Sequence, residues 1–152
     1  MKKALLSLLF FAALPAFATD STLLQCEMKG SLSISGVGER EFSETVLIEA
    51  TERDNFFKLR ITGPTILGAF SGDSFTSEDG TKFTEEIVNG TSTWEFKSEV
   101  VRPTGLKRVE SGRIDRRTGL FHYYRTSDRP NGITLYMTAT GPCSKQSNAR
   151  KF

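Results

Sequence analysis

The chain has 152 residues, with 20 lysines and arginines against 18 aspartates and glutamates, a single histidine and two cysteines. That balance lacks the basic excess of a nucleic-acid binder. One histidine and two cysteines also leave too few ligands for a zinc site and too few bases for histidine-driven catalysis.

Met1-Lys2-Lys3, an apolar run from Ala4 to Leu14, Pro15 and then Ala16-Phe17-Ala18 follow the layout of a secretory signal peptide cut after Ala18. The run is shorter than the roughly 20 residues a membrane helix needs. Cys26 lies well beyond it and follows Gln25, where a lipoprotein signal requires a small residue, so no lipid anchor is expected. Residues 1–18 are therefore read as signal peptide. The remaining 134 residues form one domain with no transmembrane segment, periplasmic or secreted.

Alternation with period two dominates the rest of the chain. Leu24, Cys26, Met28, Leu32 and Ile34 stand on one face of the first strand, while Gln25, Glu27, Lys29, Ser31 and Ser33 stand on the other. Cys26 is thus expected in the core. Phe42, Val46, Ile48 and Ala50 share a face, and Phe57, Leu59 and Ile61 alternate with polar neighbours. Asp79-Gly80 and Asn89-Gly90 sit between apolar runs, as hairpin turns do. Pro103-Thr104-Gly105 punctuates next. In Asp115 to Gly119 the Asp115 carboxylate is expected to accept bonds from turn N–H groups, and Gly119 to supply a positive φ. After Pro130-Asn131-Gly132, the residues Ile133, Leu135, Met137 and Ala139 face one way. No stretch keeps a helical period.

An all-β antiparallel up-and-down meander follows, as a barrel or a sandwich. Cys26 and Cys143 lie near opposite ends of an exported chain and are expected to pair. If the first and last strands are neighbours they run antiparallel, which calls for an even strand count. An eight-stranded barrel closed by one disulfide is therefore expected, with Gly63 to Gly72 as a loop and 144–152 as a mobile tail.

Charge separates by region. Glu39 to Glu99 carries 13 acidic and 6 basic residues, and Val100 to Phe152 carries 3 acidic and 11 basic. Arg102, Lys107, Arg108, Arg113, Arg116, Arg117, Arg125 and Arg129 are candidates for a patch that meets an anionic partner. The competing reading is that the two halves neutralise one another as neighbouring strands.

Cys26-Glu-Met-Lys-Gly-Ser-Leu-Ser-Ile-Ser-Gly36, Gly112-Arg-Ile-Asp-Arg-Arg-Thr-Gly119 and Gly141-Pro-Cys143 resemble segments of small secreted proteins common in proteobacteria. The resemblance implies location and fold but no chemistry. The plan is also similar to lipocalin-like barrels, without their Gly-x-Trp signature, and to small periplasmic lysozyme inhibitors, without their inhibitory motif.

His122, in Leu120-Phe121-His122-Tyr123-Tyr124, reads as a strand residue rather than a catalytic base. Glu44 shares the apolar face of its strand and needs a partner if buried; Arg113 or Arg125 could supply one. Trp94, Phe96, Phe121, Tyr123 and Tyr124 could line a pocket with Glu44, although such aromatics more often fill a core. The resulting expectation is a monomeric, non-enzymatic binding module of the bacterial envelope, without metal or cofactor. Its partner would be a small apolar or amphipathic ligand. The alternative is a protein-interaction module, such as an inhibitor of an envelope-directed hydrolase.

Overall fold

The computed structural model describes residues 20–53, 56–62 and 74–146. Residues 1–18, expected to be a signal peptide, Gly63 to Gly72, expected to be a loop, and residues 147–152 lie outside the described residues. Nine strands follow one another: β1 (Asp20–Ile34), β2 (Gly38–Arg53), β3 (Phe56–Thr62), β4 (Phe75–Thr76), β5 (Lys82–Asn89), β6 (Thr93–Val101), β7 (Lys107–Asp115), β8 (Leu120–Asp128) and β9 (Thr134–Lys145). No helix occurs among the described residues. All nine strands belong to one antiparallel sheet, ordered β3-β2-β1-β9-β8-β7-β6-β5-β4.

The sheet differs from the expected barrel in two respects. It has nine strands among the described residues, because Phe75 and Thr76 pair with Phe83 and Lys82 across the Asp79-Gly80 turn. The extra rungs are held by that turn: the Asp79 carboxylate accepts from Ser77 Oγ at 2.5 Å and from Thr81 N at 2.9 Å. The sheet is also not closed among the described residues, since β3 and β4 are its edges and no ladder there joins them. The edges nevertheless face one another: Cα atoms of β3 and β5 come within 8 Å. The Phe57 ring of β3 lies 5.6 Å from the Trp94 ring of β6.

Curling places one face of every long strand inside. Leu24, Cys26 and Met28 of β1 are buried, as are Val46, Ile48 and Ala50 of β2, Leu59 and Ile61 of β3, Trp94 and Phe96 of β6, Ile114 of β7, Phe121 and Tyr123 of β8, and Met137 and Ala139 of β9. A register slip of one residue would turn each set out to water, so the apolar alternation fixes the register. Phe96 packs over Gly112, which stands directly opposite on β7. A Cβ at Gly112 would fall inside the phenyl ring, so only glycine fits there.

β1 and β9 are neighbours. Cys26 stands opposite Cys143, and the two form the expected disulfide. The β1–β9 ladder skips the rungs at Glu27 and Met28, opposite Pro142 and Gly141. Pro142 has no N–H to donate there. Beyond this gap β9 continues to Lys145, and Gln146 N donates to Leu23 O at 2.8 Å, so residues 144–146 are held against β1 rather than forming a loose tail. The 115–119 turn is built as its residues imply. Asp115 Oδ1 accepts from Arg117 N and Thr118 N at 2.9 and 2.8 Å, and Gly119 has φ +70°.

Candidate functional site

The inner face changes character along its length. Around the disulfide it is apolar and packed, with Phe121, Met28, Ile48 and Ile114 almost fully buried. Towards the other end, β7 and β8 turn charged side chains inward. Arg108 and Glu110 share the inner face of β7 with Ile114. Arg125 stands opposite Glu110 on β8, and Ser98 stands opposite it on β6.

Glu110 is 1% exposed. Arg108 Nε lies 3.0 Å from Glu110 Oε1, and Arg125 Nε lies 3.5 Å from the same oxygen. Arg108 Nε and Glu110 Oε1 are within ion-pair distance but are not aligned for a hydrogen bond. The Tyr123 hydroxyl does bond the carboxylate. Burial pushes the Glu110 pKa up, and the nearby Glu85 charge pushes it the same way. Arg108, Arg125 and the Tyr123 bond pull it down without reversing the shift. Such a cluster is weak evidence for stability, because desolvating three charges offsets most of their attraction.

The same end of the inner face carries apolar side chains that the core does not seal. Leu32 and Ile34 of β1, Phe42 of β2 and Leu135 of β9 are only partly buried. In register, Leu32 stands opposite Met137, which in turn stands opposite Arg125. Arg40, opposite Leu32 on β2, adds an exposed cation. Glu44 faces inward as its parity implies, half-buried opposite Met28.

Of the aromatic candidates, Trp94, Phe96, Phe121 and Tyr123 all lie on the inner face. Trp94 closes the disulfide end: its Nε1 donates to Asn89 Oδ1 at 3.0 Å, and the Arg116 guanidinium sits 4.9 Å over its ring. Tyr124 points the opposite way and is 42% exposed on the outer face. Arg113 is also on the outer face, beside Glu95 at 3.6 Å, so it cannot reach the inward-facing Glu44.

The eight cations are split between faces and ends. Arg108 and Arg125 turn inward. Lys107 pairs with Glu99 at 3.0 Å, and Arg116 lies 3.6 Å from Glu52. Arg102 and Arg129 occupy turns at the charged end, while Arg117 lies in the turn at the disulfide end. These ion pairs join the acidic half of the chain to the basic half across the sheet.

The outer face holds two open concavities of about 400 and 990 Å³ that meet at His122. His122 is exposed, with Nδ1 3.2 Å from Thr140 Oγ1. That hydroxyl donates to Phe121 O at 3.1 Å, which directs its proton away from the imidazole. No group of three or more His, Cys, Asp or Glu side chains arranged to hold a metal occurs among the described residues.

Glu110 is the residue sequence reasoning passed over. Its neighbours Val109 and Ser111 reveal no inner face, and its burial follows only from pairing β7 with β6 and β8. Comparison of the chain with protein-family models, with curated proteins and with solved structures gives no match.

Proposed function

We propose that this chain is an exported, non-enzymatic binding module of the bacterial envelope, taking a small amphipathic molecule at the charged end of its inner face. The observation that carries this reading is the chemistry of that end. Partly buried Leu32, Phe42 and Leu135 share one face with Arg108, Glu110 and Arg125. An amphiphile needs both an apolar wall for its tail and a polar anchor for its head. In this reading the curled sheet works as a lipocalin-like barrel with its seam between β3 and β5, and the protein acts as a monomer. The Cys26–Cys143 disulfide fits an oxidising compartment, periplasmic or secreted.

Native mass spectrometry of protein purified from the periplasm tests the reading. Extra mass that is lost on denaturation is the expected result. A bare native mass, with no uptake of added long-chain amphiphiles, refutes it.

The outer face supports a second reading, a protein-interaction module such as a hydrolase inhibitor. Tyr124 and Tyr136 are 42% and 50% exposed there, on neighbouring strands. Tyrosine is enriched at interface hot spots. This reading requires Tyr124→Ser to weaken binding to a purified envelope hydrolase without changing amphiphile uptake.

A further inference from the structure

We propose that the head group taken at this end is an oxyanion, a carboxylate or phosphate, clamped between the guanidiniums of Arg108 and Arg125. The inference rests on the amphiphile-binding reading above and names the ligand class for it.

Two guanidiniums from adjacent strands converge on one carboxylate. Their exposures differ from that of the carboxylate in a telling way. The Glu110 side chain is 2% exposed, whereas those of Arg108 and Arg125 keep 30% and 20%. The carboxylate and both Nε atoms are therefore enclosed within the cluster, and each arginine side chain keeps part of its surface open. Each guanidinium carries five N–H donors in a planar fork, the geometry that grips carboxylate and phosphate oxygens. Arg108 Nε and Arg125 Nε are buried at 3.0 and 3.5 Å from Glu110 Oε1, so a head group would meet the terminal N–H groups of the two forks. Arg108 and Arg125 stand diagonally across the β7–β8 ladder, and their Nε atoms flank the same Glu110 oxygen, close enough for one head group to meet both forks. Met137, opposite Arg125, and Leu135, opposite Ser127, start the apolar wall beside the clamp.

Glu110 is then a resident counter-ion that competes with the incoming oxyanion. Oxyanion binding draws the arginine charges away from Glu110, and Glu110 takes up a proton from solvent. The groups that face it are Arg108, Arg125, Tyr123 and Glu85. Burial already favours its protonated form, so the exchange runs with the local electrostatics.

Isothermal titration of the mature, oxidised protein with dodecanoate and dodecyl phosphate below their micellar concentrations, and with dodecan-1-ol below its solubility limit, tests the clamp. Both anions are expected to bind about tenfold or more tighter than the alcohol, as charge-assisted hydrogen bonds require. Glu110→Gln keeps the side-chain shape. It should tighten both anions by about tenfold, leave dodecan-1-ol unchanged and abolish proton uptake on binding. Arg108→Gln, a partly exposed position suited to substitution, should erase the preference for anions. If dodecan-1-ol binds as tightly as dodecanoate, or if Arg108→Gln leaves the preference intact, the clamp is wrong while the binding module stands. If none of the three binds, the binding module itself falls and the clamp with it.

Discussion

Replacing both Cys26 and Cys143 with alanine removes a crosslink between residues 117 apart in sequence. The loop-closure entropy of so long a loop corresponds to about 5 kcal/mol at room temperature in the chain-entropy model. That approaches the whole stability of many domains, roughly 5 to 15 kcal/mol. The structure also localises the effect. The β8–β9 ladder ends at Pro142, so residues 144–146 are held only by β1. The β1–β9 ladder skips two rungs just before Cys143. Beyond the gap the disulfide is joined by the short run of rungs from Cys26 to Leu24, the Gln146 N to Leu23 O bond and the Cys143 N to Gly119 O bond. Urea unfolding of the double variant should therefore show a loss of about 4 to 5 kcal/mol. Hydrogen exchange should show Lys145 and Gln146 opening far faster than in the parent, while Met137 to Thr140 change much less. A loss below about 1 kcal/mol, or equal acceleration along the whole of β9, would refute the reasoning.

Other perturbations address the charged cluster and the turns. Glu110→Ala leaves two arginines facing one another and should cost about 3 kcal/mol in urea unfolding, the low end for a broken buried pair because the arginines keep some exposure. Replacing Arg108, Glu110 and Arg125 together with Met, Leu and Met should be neutral or stabilising by up to about 4 kcal/mol, while abolishing anion preference. The raised Glu110 pKa means that the fold favours its protonated form. The stability it contributes is full below the ordinary carboxylate range and is lost as pH rises through the raised value, a slope that Glu110→Gln should flatten. Gly112→Ala should cost about 1 to 3 kcal/mol by driving a methyl into the Phe96 ring, and Phe96→Leu in the same chain should recover part of it. A carbon-detected titration should find the Asp79 carboxyl at about 2, held down first by the Ser77 hydroxyl and then by the Thr81 amide, and Ser77→Ala should raise it.

Much of the architecture was legible because β1 and β9 alternate cleanly. Leu24, Cys26 and Met28 on one side, and Met137 and Ala139 on the other, define an inner face without any structure. Asp115 and Gly119 announce their turn by side-chain chemistry alone. The seam was not legible, because whether the edge strands join depends on the curl of the sheet rather than on any residue pattern. The charged site was not legible either. In β7, Val109 and Ile114 are the only large apolar residues, and they have opposite parity, so the strand does not say which way Arg108 and Glu110 point. Counting charge along the chain also merged residues that pleating sends to opposite faces: Lys107 and Arg113 go out, Arg108 and Arg125 go in.

The strand order has a kinetic consequence. Every ladder among the described residues joins strands consecutive in sequence, except the one between β1 and β9. Hairpins close in microseconds, whereas a pairing that spans more than a hundred residues bears the entropy of a long loop before it gains contacts. Two independent stacks of hairpins, β1 to β3 and β4 to β9, can therefore form early, and docking β9 against β1 is the slow step that unites them. Oxidation of Cys26 and Cys143 captures that docking once it has occurred, so a chain kept reduced should refold through the same hairpins and stall at their union.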